Sequence, residues 1–152
     1  MQRRHFLKNT MATGAIALAA SSGLLVPLQV LAWNKKAFDA KDVQSAMKGS
    51  LGTELTEASD KIHIKAPDIA ENGAVVPVTI SSTLSDVKSI TILSEKNGTP
   101  LIAKFDLKGA QAFVSTRIKM GKTSNVIAIC ESGGKFYSAR KEVKVTIGGC
   151  GG

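Results

Sequence analysis

From Lys61 onward the apolar residues recur at every second position. KIHIK (61–65) sets Ile62 and Ile64 on one face, and VVPVTI (75–80), SITIL (89–93), LIAKF (101–105), AFVSTRI (112–118), NVIAIC (125–130), KFYSA (135–139) and EVKVTI (142–147) continue the pattern. Asn72-Gly73, Asn97-Gly98 and Gly133-Gly134 fall in the gaps, where turns want positive φ. About eight short strands with no intervening helix to carry a parallel crossover predict an antiparallel β-sandwich of the immunoglobulin type. Pro77, lacking an amide donor, places its strand at a sheet edge or marks the strand's start. Upstream the period is helical: Asp39 reads as an N-cap, Asp42 sits in the first turn, Phe38 and Val43 occupy the positions of a hydrophobic staple, and Gly49 marks the stop. Residues 50–60 read as a connector. The fold class is therefore all-β, with a short N-terminal helix and a flexible Gly-Cys C-terminal arm.

The first residues follow another logic. Arg3-Arg4-His5-Phe6-Leu7-Lys8 precedes a mildly apolar, uncharged stretch that ends in small residues near Ala32, the layout of an export signal. RRHFLK resembles the twin-arginine consensus, with Gln2 where Ser or Thr is usual, and so implies a periplasmic protein exported already folded. A membrane-spanning helix is the competing reading, weakened by Pro27 and by low hydrophobicity; no membrane association is expected of the mature form. The chain divides into a signal (1–32), helix and connector (33–60), β-sandwich (61–147) and arm (148–152).

Of 152 residues, 20 are Lys or Arg and 12 Asp or Glu. Loss of residues 1–32 removes three basic residues and no acidic one, leaving +5. The excess is almost all lysine, scattered rather than clustered, which suits small anions and acidic surfaces and gives no support to a nucleic-acid partner.

Chemistry concentrates in the tail, Gly148-Gly149-Cys150-Gly151-Gly152. Two cysteines in an oxidising compartment normally pair, so a Cys130–Cys150 bridge is one reading. Cys130, however, shares an apolar face with Val126 and Ala128, as a buried small hydrophobe would. Cys150 lies beyond the last strand with no side chains beside it to pack, and the residues favour a free thiol there. Glycines on both sides open backbone space and give a thin chain, so the sulfur can enter another protein's cleft, on a leash of roughly 10 Å for three residues. Lys141 and Lys144 lie on the preceding strand and nothing local depresses the thiol pKa, so activation is left to whichever enzyme accepts it. His63 is the only histidine of the mature chain and reads as a surface residue; no metal, haem, nucleotide or triad motif is present, and no cofactor is expected.

The terminal GGCGG, the preceding KFYSARKEVKVTI and PDIAENGAVVPVTI (67–80) resemble the SoxY family, sulfur-carrier subunits of the bacterial thiosulfate-oxidising system. The resemblance covers essentially the whole mature chain and implies covalent attachment of sulfur intermediates at Cys150, with Gly148, Gly149, Gly151 and Gly152 as the arm. It further implies a non-catalytic subunit paired with SoxZ, a c-type cytochrome that loads thiosulfate, a manganese-dependent hydrolase that releases sulfate, and a sulfane dehydrogenase. Cys130 is a departure from the motif. Two other readings compete. A ubiquitin-like carrier would hold sulfur on the terminal Gly152, but needs ATP and a long helix. A periplasmic adaptor or metal-binding module would make Cys150 structural, yet Met47 and Met120 are poorly spaced as soft ligands. Prenylation fails because only two residues follow the cysteine.

Overall fold

The computed structural model of the chain describes residues 34–146. Helices α1 (Lys35–Phe38) and α2 (Val43–Leu51) come first. The strands follow: β1 (Glu57–Ala58), β2 (Ile62–Lys65), β3 (Ile69–Ala70), β4 (Val76–Ser82), β5 (Val87–Ser94), β6 (Leu101–Asp106), β7 (Phe113–Ile118), β8 (Ser124–Ser132) and β9 (Lys135–Val145). One sheet has the order β1-β9-β8-β5-β6, with β3 also paired to β9; the other is β2-β4-β7. Pairing is antiparallel except where β1 and β3 join β9 in parallel. The expected all-β sandwich is what forms.

Alternation builds the interior. Val76, Val78 and Ile80 of β4, with Ile62, Val114 and Ile118, meet Ile90 and Ile92 of β5, Val126, Ala128 and Cys130 of β8, and Val143 of β9. Strands β5 and β8 depart from simple alternation, because their outward-facing residues are buried too. Leu93, Ile127 and Ile129, with Leu101 of β6, pack against Ala37, Ala46 and Met47 of the helices. A near-continuous apolar run such as NVIAIC is the mark of a strand covered on both faces, and here the helix pair supplies the second cover.

The helical segment corrects the sequence reading at both ends. Asn34 caps α1, its Oδ1 accepting from the Ala37 amide at 3.2 Å, and Asp39 stands at the C-terminal end of α1 rather than at the start of a helix. Asp42 is the N-cap of α2, accepting from the Ser45 amide at 2.8 Å; these hydrogen bonds hold its carboxyl below the usual carboxylate range. The stop is Gly52, with φ 77°, not Gly49. Gly49 lies inside α2 because a Cβ there would stand 3.0 Å from both Cα and Cβ of Ala37, so its bareness serves helix contact. Phe38 and Val43 form no staple about an Asp39 cap, yet both pack on the helix-side cluster.

The strands need smaller corrections. The segments read as 135–139 and 142–147 are one strand, β9, and the connector 50–60 contains β1. Gly133 and Gly134 have φ 58° and 76° between the paired Ser132 and Lys135, the primed two-residue turn expected there. Gly73 and Gly98 do not adopt positive φ. Asn97 instead bridges to a neighbouring loop, donating to the Lys119 carbonyl at 2.7 Å and accepting from the Gly121 amide at 3.0 Å. Pro77 sits in the central strand of its sheet, not at an edge strand, but as the second residue of β4 it lies within one position of the strand start that was the other expectation. The β2 ladder stops at Lys65–Thr79, however, so Pro77 faces only Arg117 of β7 and removes no ladder bond from β2.

Two predictions follow from the double cover of β5. Leu93→Ala is expected to cost about 2–5 kcal/mol in urea unfolding, as much as Ile92→Ala on the opposite face; a far smaller loss for Leu93→Ala would mean that the helices are not part of the cooperative unit. Thr91 is buried with its hydroxyl unpartnered, so Thr91→Val, which preserves shape, is expected to raise stability by about 1 kcal/mol in the same measurement.

Candidate functional site

The tail residues Gly148, Gly149, Cys150, Gly151 and Gly152 lie outside the described residues, as do Arg3 and Arg4 of the expected export signal. The structure does show the platform from which the tail departs, up to Thr146. That platform is built by the segment 66–73, which contains the PDIAENG stretch, laid alongside the last turns of β9.

Lys141 Nζ donates to the Ala66 carbonyl at 2.6 Å and pairs with Asp68 at 3.1 Å. The Lys144 amide donates to the Asp68 carbonyl at 2.9 Å, and β3 then runs parallel to β9, Ile69 beside Lys144 and Ala70 beside Val145. The Thr146 amide donates to the Ala70 carbonyl at 3.2 Å, and its hydroxyl to the Glu71 carbonyl at 3.3 Å. Asn72 closes a small turn by accepting from the Ala74 amide at 2.9 Å. At Gly73 the backbone comes closest: its carbonyl accepts from the Met120 amide at 2.7 Å, and a Cβ would fall 2.4 Å from the Met120 carbonyl oxygen and 2.8 Å from Val145 Cγ1. Glycine is required at 73 by this approach, not by a turn.

On the other edge of β9, the β8 ladder ends at Ser124–Val143. One residue earlier in the chain, Thr123 takes over: its hydroxyl accepts from the Val145 amide at 2.9 Å and donates to the Val145 carbonyl at 3.4 Å. A side chain thus satisfies the backbone groups that a longer β8 would have paired. Sequence reasoning singled out neither Thr123 nor Gly73 for this role.

Cys130 is the other thiol. It stands on β8 opposite Ile90 of β5 and Tyr137 of β9, wholly buried and free. Burial pushes its pKa up to about 11, against a weaker opposing hydrogen bond with Ser82. The buried small hydrophobe read from the sequence is the one observed. His63 lies exposed on β2 opposite Ser81, while Met47 and Met120 are core residues. Among the described residues no group of three or more His, Cys, Asp or Glu side chains could hold a metal ion.

The family model described as "Sulfur oxidation protein SoxY" matches residues 47–150. Among solved structures, the sulfur carrier protein SoxY from Chlorobium limicola f thiosulfatophilum is similar at 40% identity and TM-score 0.64, covering 74% of this chain and 99% of its own. Comparison with curated protein sequences finds no match. The family match takes in the sandwich, the 66–73 segment that grips β9 and the tail as far as Cys150, and the chain belongs to the SoxY family.

Proposed function

We propose that this chain is a sulfur carrier of thiosulfate oxidation that holds its intermediates covalently on the thiol of Cys150 and presents them to partner enzymes. The observation that carries the reading is the family match, which spans the sandwich and extends through residue 150. Elimination supports it, because the only other cysteine is enclosed in the sandwich with its thiol held protonated, and the thiolate is the reactive form. A carrier role is also what the similar SoxY structure is named for.

Loading joins the Cys150 thiol to the outer sulfur of thiosulfate. A sulfur–sulfur bond forms, one proton leaves and two electrons pass to an acceptor, a role that fits the c-type cytochrome of the family's system. Hydrolysis of the resulting thiosulfonate, the task of the manganese-dependent hydrolase, places water oxygen on the terminal sulfur and releases sulfate. A persulfide remains on Cys150 for the sulfane dehydrogenase. The chain provides the attachment point and its partners the chemistry, so we assign it no catalytic residue. Pairing with SoxZ would cover a sheet edge, and the Arg3-Arg4 signal would take the protein to the periplasm.

Intact-mass measurement during thiosulfate turnover is expected to show reductant-labile adducts on wild-type protein and on Cys130→Ala, and none on Cys150→Ser. Adducts that survive Cys150→Ser would sink the reading. The buried thiol gives a second expectation. Its folded-state pKa of about 11 lies above the ordinary 9.0, so its contribution to stability is complete below about pH 9 and is lost as pH rises through about 11. Alkaline unfolding curves should therefore fall less steeply between those limits for Cys130→Ala than for wild type; parallel curves would contradict the assignment.

A further inference from the structure

We propose that Thr123 is a positioning residue for the arm: its hydroxyl extends the grip on β9 past the end of β8 and so fixes the point from which Cys150 is carried. The inference rests on the carrier reading and specifies how the body of the protein serves it.

Backbone groups of β9 point alternately to its two edges. Lys144 and Thr146 donate toward the 68–70 segment, at 2.9 and 3.2 Å, and Val145 donates the other way. On that other side the regular ladder is finished at Val143. Among the described residues Thr123 meets both the amide and the carbonyl of Val145 there, in the two hydrogen bonds already described. The loop that places Thr123 is itself anchored. The Met120 amide is bonded to the Gly73 carbonyl at 2.7 Å, Met120 is 1% exposed, and Asn97 ties Lys119 and Gly121 from the far side. Gly73 thereby joins the loop and the strand, having Met120 and Val145 both within the volume of a single missing methyl.

The consequence for a carrier is how firmly the start of its arm is held. Without the Thr123 hydroxyl the end of β9 is held on one edge only, by the 68–70 segment, and the Val145 amide loses its partner on the other. A strand end that swivels presents the sulfur over a wider cone, which loosens the alignment a near-attack geometry needs.

The test compares wild type with Thr123→Val, which keeps the shape and removes the hydroxyl, and Thr123→Ser, which keeps the hydroxyl. Amide exchange at Val145 is expected to be about tenfold faster in Thr123→Val, the effect of losing one ordinary hydrogen bond, with Ala128 and Ala139 in the central β8–β9 ladder unchanged. Loading of Cys150 from thiosulfate by the purified c-type cytochrome should fall about twofold or more in kcat/KM as alignment is lost, while alkylation of Cys150 by iodoacetamide stays at the wild-type rate. Thr123→Ser should restore both exchange and loading. Gly73→Ala, which forces the loop and β9 apart, should reproduce the loading defect. Unchanged exchange at Val145, or a serine variant as impaired as the valine one, overturns the proposal. If wild type loads normally and Thr123→Val loads at the same rate, the proposal fails and the carrier reading stands. If wild type acquires no adduct on Cys150, both fail.

Discussion

Strand β9 is paired along both edges, and the rest of the domain is arranged to make that possible. On one side it runs antiparallel to β8 from Lys135 to Val143; on the other it accepts β1 near its start and β3 near its end, both in parallel. The two parallel pairs are only two residues long each, too short to persist without side-chain help. Lys141 bonding the Ala66 carbonyl, Thr56 bonding Ser138 at 3.0 Å, and Thr146 bonding the Glu71 carbonyl provide it. The result is a long strand whose chain direction leads straight to the tail.

The sandwich beneath β9 is stiffened by its neighbours. Strand β8 lies between β9 and β5 and is apolar on both faces, one toward the three-stranded sheet and one toward the helices. Burial of this kind is non-directional, and register comes from the hydrogen bonds and the Gly133-Gly134 turn. Cys130 belongs to this layer. Its sulfur fills space as a methyl would, and the cost of exposing or charging it there keeps it out of thiol chemistry.

Much of the fold was legible because period-two alternation reports a half-buried strand directly, as in VVPVTI and AFVSTRI. The expected cap falls on the wrong aspartate because Asp39 and Asp42 are both good caps in isolation; that two helices form, packed where Ala37 meets Gly49, is not written in the local pattern. Strand β9 was divided at Arg140-Lys141, where charge interrupts the pattern, since Lys141 reaches sideways to Ala66, a contact invisible to local periodicity. GGCGG singles out Cys150 as the residue to ask about, and the family resemblance makes it the candidate attachment residue. Its platform was not, because Gly73 and Thr123 act through partners roughly 50 and 22 residues away in sequence. The PDIAENG stretch stood out as a family feature, and its physical meaning is the set of carbonyls it offers to β9.

The two-edged pairing of β9 also determines how the domain bears load. Ladder hydrogen bonds lie across the strand axis, so tension applied at Thr146 along that axis meets them broadside and is shared among many at once. A sheet pulled in this way resists shearing, whereas a strand drawn off sideways would part bond by bond. A pull on Thr146 along the strand would therefore be met by the cross-strand bonds of both edges together, and the sheet would bear it without unravelling from that end.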